Sequence, residues 1–188
     1  MVLCAFAIVD TESGCLILTN SSTTPEESWF LGFFLSDWCD CNSDFAEHFV
    51  KCAQVVAKRA GVAPPEDCFF SDKFLDSVTD FYSLAEAEKN VPAVVRDSSF
   101  VARLHFLSGA LAGGGYVSPL GDLLGFKDPD ESFVAQVAEL LQDFEIFCDV
   151  GHLCIDEVEG CMSFFDLSAG DAERLEGLFA KHNVFTPW

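Results

Sequence analysis

Nine cysteines, four histidines and 31 acidic residues supply the reactive side chains of this 188-residue sequence. Two groups of them have the makings of a zinc site: Cys39-Asp40-Cys41 with His48 and Cys52, and Cys148, His152, Cys154 with Cys161. Neither shows the paired C-x-x-C spacing of structural zinc, so both are read as ordinary cysteines and no metal or cofactor is expected. A buried cysteine behaves as a small apolar residue. Nucleophilic catalysis needs a Cys or Ser beside a base and an orienting group. His48, His105, His152 and His182 could each serve as a base, yet no nucleophile sits in a recognisable strand-to-helix elbow, and Ser108-Gly109 falls inside a helix. Gly113-Gly114-Gly115 follows a helix and is not succeeded by a Lys-Ser/Thr pair, so it reads as a helix end and not as a phosphate loop. The stretch from Phe144 to Phe165 has the aromatic entry of a calcium loop, but Cys148 and Val150 stand where oxygen ligands are required. No catalytic residue is assigned.

The charge bounds the partners. Ten bases against 31 acids leave a formal net charge of -21, a field that repels nucleic acid and anionic membranes and favours basic partners or metal cations. It also keeps a chain with 20 phenylalanines dispersed. No apolar run reaches the roughly 18 residues of a membrane span. The first residues, Met1 to Val9, lack the basic start of a secretory signal, so the expected location is cytoplasmic or nuclear, with the cysteines reduced.

The elements that would carry these residues are α+β in class. Residues 3–9 and 15–20 read as a hairpin around Thr11-Glu12-Ser13-Gly14. Thr24, Pro25, Glu26 and Glu27 open a helix whose body, Trp29 to Leu35, is apolar all round and must be buried on several sides or cover a partner. Ser43 caps a helix that runs to Ala60 and stops at Gly61; another spans Ser71 to Tyr82. Residues 83–97 are irregular, Ser98 or Ser99 starts a helix through Phe100, Leu104, Leu107 and Leu111, residues 116–130 are loop-like, and Asp130 caps a helix to Asp143. A three-stranded antiparallel meander follows (Phe144–Asp149, His152–Asp156, Cys161–Asp166), turning at Gly151 and Gly160 and closed by a helix from Gly170 to His182. The chain is treated as a single domain over 1–188, with 62–66 and 83–97 as the places where two lobes would part. The first hairpin and the Phe144–Ile155 region look alike, which raises the question of an internal duplication.

The C-terminal half resembles the SUKH superfamily, which groups Smi-type regulators, bacterial immunity proteins and herpesviral tegument-related proteins. The residues carrying the resemblance are Glu86-Ala87-Glu88 with Pro92, Gly113-Gly114-Gly115, Ile146-Phe147, Gly151, Leu153-Cys154-Ile155-Asp156, Gly160, Ser163-Phe164-Phe165-Asp166 and Leu175 to Phe179. The chain departs from that pattern at Val91, where Leu is usual, and at Phe165, where Trp is common. The resemblance implies a non-enzymatic regulatory protein that acts by binding a protein partner, as in immunity or the blunting of host defence. Trp29, Phe33, Asp149, Asp156, Glu157 and Glu159 are the candidate partner surface. Nucleic acid and membrane are not expected as partners, and the oligomeric state is left open. Two alternatives are a Bcl-2-like apoptosis regulator, faintly suggested by residues 99–112, and a small Cys/His-dependent enzyme.

Overall fold

A computed structural model describes residues 6–9, 16–19, 23–36, 46–65, 71–84, 89–117, 124–156 and 160–188. Strands β1 (Phe6–Val9) and β2 (Leu16–Thr19) form a two-stranded antiparallel sheet of their own. Helix α1 (Pro25–Leu35) begins with a capping box: the Glu27 amide donates to Thr24 Oγ1, while the Glu27 carboxylate accepts from the Thr24 amide at 2.7 Å. Helices α2 (Ala46–Ala60) and α3 (Asp72–Tyr82) follow, the first ended by Gly61 at φ +70° and the second capped by Ser71. The short α4 (Ala93–Arg96) leads into α5 (Phe100–Gly114), capped by Ser99.

Beyond α5 the chain alternates sheet and helix. Strands β3 (Gly115–Val117) and β4 (Leu124–Asp128) precede α6 (Glu131–Gln142), and β5 (Gly151–Asp156) and β6 (Gly160–Leu167) precede α7 (Ala169–His182). The four strands form one antiparallel sheet in the order β3-β4-β6-β5. The class is therefore α+β. The sheet differs from a three-stranded meander because the segment read as a loop supplies β3 and β4, while Phe144–Asp149 is not a strand. Those residues continue the end of α6: the Ile146 amide bonds back to Leu141 O, and Glu145 sits in the left-handed region at φ 58°. Phe144 and Ile146 are buried from that turn, so their alternation records core packing and not a pleat. The likeness between the first hairpin and Phe144–Ile155 lapses with it. The expected Ser43 cap lies outside the described residues.

Two hydrophobic cores share α1 as a wall. Leu31 and Leu35 face the core built by α5, α6, α7 and the inner sheet face, where Phe126, Phe133, Phe165 and Phe179 are buried. Trp29, Phe30 and Phe33 face the core of α2 and α3, against Phe49, Val56, Phe74 and Val78. An all-round apolar helix is stable in water only when covered on both sides in this way. Trp29 and Phe33 are accordingly 0% and 2% exposed and cannot form a partner surface.

The contact between α1 and α5 is set by glycine. A Cβ on Gly32 would stand 2.1 Å from Phe106 O and 2.8 Å from Ala110 N; one on Gly109 would stand 1.9 Å from Trp29 O and 3.0 Å from Phe33 N. Gly113 in turn meets Ser36, whose Cβ is 2.7 Å away. Trp29, Gly32, Phe33 and Ser36 thus stand on α1 as Phe106, Gly109, Ala110 and Gly113 stand on α5. The helices run parallel, backbone on backbone, with equivalent contacts made by each on the other, and they end side by side where Gly113 meets Ser36.

Candidate functional site

The inner face of the four-stranded sheet carries Leu124, Phe126, Phe165 and Leu167 and is buried. Strand alternation sends the intervening residues outward. Register aligns Tyr116 with Gly125 and Gly125 with Asp166, Lys127 with Phe164 and Phe164 with Gly151, and Met162 with Leu153. Tyr116, Lys127, Leu153, Met162 and Phe164 line an open groove of about 270 Å³ on that face. Leu153 is 54% exposed. The Tyr116 hydroxyl donates to Asp166 Oδ1 at 2.5 Å, and Lys127 Nζ lies 5.9 Å from the centre of the Tyr116 ring. Burial, the hydrogen bond to Asp166 and that carboxylate's charge all push the Tyr116 phenol up, so it remains a neutral donor.

The histidine and cysteine groups do not assemble into a reactive centre among the described residues. His48 Nε2 is 3.5 Å from Cys52 Sγ, but burial pushes the Cys52 thiol up to about 12, with Glu26 adding to the effect. A thiol held that high is not a nucleophile at neutral pH. His48 is stacked on Phe185 with ring centres 4.7 Å apart, and burial lowers its pKa. His105 is pushed down to about 4, mainly by burial, and its Nδ1 is buried with no hydrogen-bond partner among the described residues. Both histidines belong to the packing between α1, α2, α5 and the C-terminal segment. Ser108 ties that segment down, accepting from Trp29 Nε1 at 3.1 Å and donating to Phe185 O. His152 bonds Ser163 and faces Glu131. Cys161 is disulfide-bonded, against the expectation of reduced cysteines throughout. No group of three or more potential metal ligands occurs among the described residues; Cys39, Asp40 and Cys41 lie outside them. No helix among them is long and apolar enough to cross a membrane.

Of the residues read from sequence as a partner surface, Trp29 and Phe33 are core. Asp149 is exposed between α6 and β5, Asp156 ends β5, and Glu157 and Glu159 lie outside the described residues. The outer-face residues Tyr116 and Lys127 were hidden in the segment read as a loop. The available signal was the alternation Leu124-Gly125-Phe126-Lys127-Asp128, with apolar residues at every second position facing the core.

No protein family model matches the sequence, and no curated protein does. Solved structures do match. The fold resembles that of the homing endonuclease I-DmoI. Mesophilic variants of that enzyme match at a TM-score of 0.59 and 12% identity, covering 87% of this chain and 93% of theirs. A variant in complex with its target DNA, nicked in the coding strand and in the presence of manganese, matches at 0.60 and 12%, covering 86% and 98%. I-DmoI in complex with DNA and calcium matches at 0.55 and 10%, covering 83% and 88%. These matches overturn two expectations. The protein-binding, non-enzymatic regulator was read partly from a resemblance over half the chain, whereas the I-DmoI architecture accounts for most of it. Nucleic acid was excluded on net charge, yet the solved structures that share the fold include I-DmoI in complex with DNA. The Bcl-2-like alternative also fails, since a four-stranded sheet forms one wall of the main core. The Cys/His-dependent enzyme was tied to no particular residue; Cys52, beside His48, does not supply its nucleophile, for the reason given by its thiol.

I-DmoI is solved with calcium and with manganese; in this chain, one place to test for a cation is where α1 and α5 end side by side. Two helix C-termini side by side present negative partial charge there, but hard divalent ions also require carboxylate or carbonyl oxygens free to coordinate. Ser36 donates its hydroxyl to Gly32 O at 2.9 Å. A Cβ on Gly114 would stand 2.6 Å from the Phe126 ring, and one on Gly115 would stand 2.1 Å from Leu111 O, so this end of α5 has no room for a ligating side chain. Asp37, next after Ser36 in sequence, lies outside the described residues. The described residues do not fit a divalent cation, and no cleavage step is assigned to them.

Proposed function

We propose that this protein binds nucleic acid across the outer face of its four-stranded sheet. The carrying observation is that the described residues leave this face uncovered, with an open groove between Tyr116, Lys127 and Phe164, in a fold similar to that of I-DmoI, which is solved in complex with DNA. An uncovered apolar and aromatic sheet face is a costly thing to leave in water, and such patches mark sites of contact. Lys127 is the basic side chain among the groove's lining residues, so affinity from neutralising phosphates is small and contact with bases must supply the rest.

Fluorescence anisotropy with labelled duplex and single-stranded oligonucleotides tests this. Saturable binding of at least one of them by the full chain is expected, at roughly micromolar strength or weaker. Absence of binding to both at about a hundredfold higher concentration than that range would exclude the reading.

A further inference from the structure

We infer that the outer sheet face takes unpaired nucleobases, stacked on Phe164 and Tyr116, and so prefers a single strand to a duplex. This rests on the reading of the face as a nucleic-acid surface and names the form of nucleic acid it selects.

The two rings are laid across neighbouring strands by glycine. Phe164 reaches over β5, where its Cζ, Cε1 and Cε2 lie 2.9, 3.2 and 3.3 Å from the place a Cβ would occupy on Gly151. Tyr116 reaches over β4, with Cζ and Oη 2.5 and 2.6 Å from the corresponding place on Gly125. Any side chain at either glycine would lift its ring. The Tyr116 tip is further pinned by Asp166. Both rings are half-buried, fixed from below while remaining in reach of solvent. Rings already ordered in this way lose little freedom when a base stacks on them. Lys127 projects between them, over the Tyr116 ring and paired in register with Phe164, where a cation can meet a phosphate that follows a stacked base.

Charge decides between single strand and duplex. A duplex hides its base faces and presents phosphates, and affinity for it grows with the number of Lys and Arg contacts. This groove offers Lys127 beside Asp166, on a chain of net charge -21. A single strand exposes base faces, which stack on aromatic side chains regardless of sequence, each stacked base worth roughly tenfold in affinity. Sheet faces bearing paired aromatic residues bind single strands in this manner. DNA and RNA share this chemistry, so oligo-dT and oligo-U are separate arms of the test.

The full chain is titrated into labelled oligo-dT, oligo-U and a dT–dA duplex of equal length. The single strands are expected to bind about tenfold or more tightly than the duplex. Raising salt from about 50 to about 300 mM should leave that binding unchanged or tighten it, because screening relieves net repulsion. Phe164→Leu keeps apolar bulk but removes the ring, and should weaken single-strand binding about fivefold or more. Tyr116→Leu removes the second ring in the same way and should weaken single-strand binding by a similar factor. Should Phe164→Leu fail to fold, photocrosslinking of the wild-type chain to a bromouracil-substituted strand gives the answer, with crosslinks expected on the β3 or β6 peptides. Crosslinks confined elsewhere, or wild-type affinity in a folded Phe164→Leu, overturn the proposal. Duplex binding equal to or tighter than single-strand binding overturns it and leaves the broader nucleic-acid reading standing. No binding to any oligonucleotide overturns both.

Discussion

Glu27 is fully buried, and its carboxylate accepts hydrogen bonds from the Thr24 amide at 2.7 Å, the Tyr82 hydroxyl at 3.0 Å and Arg59 Nη1 at 2.5 Å. One residue thus caps α1 and ties it to the end of α2 and to α3. Burial and the Glu27 charge push the Tyr82 phenol up, which keeps it a donor at neutral pH. Removing one member of a buried pair leaves the other uncompensated, at about 3 kcal/mol or more. Glu27→Ala should therefore lower stability to urea by roughly that amount. Glu27→Gln should lower it by less, since the amide oxygen can still accept from the Thr24 amide while the amide NH2 donates to the Tyr82 hydroxyl oxygen, and only the charge opposite Arg59 is lost. Equal losses for the two variants would mean that the Arg59 charge dominates and the cap and phenol contribute little. Asp128 repeats the pattern in the other core: it is 1% exposed, and Lys89 Nζ lies 3.0 and 3.2 Å from its oxygens.

At the scale of elements, α1 and α5 make opposite demands on glycine from those of a solvent-facing helix. Alanine is favoured over glycine in a helix by about 1 kcal/mol. At Gly177, in α7, a Cβ meets nothing within 4 Å, so Gly177→Ala should raise the thermal midpoint. At Gly32 and Gly109 the same substitution drives a methyl into backbone of the partner helix at 2.1 and 1.9 Å. Backbone cannot turn aside as a side chain can, so the cost should reach the top of the overpacking range, about 3 kcal/mol, and override propensity. Thermal melts of the three variants check both signs. The sequence displayed half of this arrangement. Thr24 and Asp130 were legible as helix starts because capping is local chemistry, Ser71 and either Ser98 or Ser99 marked two more, and the apolar circumference of Trp29–Leu35 called for burial on several sides or a partner. The partner of that helix was not legible, since pairing Gly32 with Gly109 is a fact of tertiary contact. The same holds for β3 and β4: Gly115, Gly125 and Asp128 have poor strand propensity, and they are strands because β6 supplies the ladder for β4 and β4 supplies it for β3. The outer-face groove went unseen with them, although Phe164 had been placed on a strand.

For the whole molecule the governing quantity is the net charge, 31 acids against 10 bases. Its first consequence is solubility, its second an unfavourable field for phosphate, and its third self-repulsion of the folded chain. Salt acts on these terms with opposite signs. It screens repulsion among exposed acids, and it also weakens exposed ion pairs such as Arg174–Glu145. The ion pairs of Glu27 and Asp128 respond little, because both carboxylates are buried. Exposed pairs contribute only a few tenths of a kcal/mol each, whereas 21 excess charges repel one another over distances that the Debye length spans at low salt. The repulsive term should win, so the urea midpoint should rise between about 20 and about 300 mM sodium chloride and then level off as the Debye length falls to roughly 6 Å. Sodium sulfate would confound the measurement by strengthening apolar burial directly, which is why chloride is the salt to use. A midpoint that falls over that range would show that ion pairing, and not repulsion, dominates the acidic surface. The stacking-led account of the sheet face would then lose its electrostatic argument, since an acidic surface already neutralised by its own pairs would repel a duplex far less.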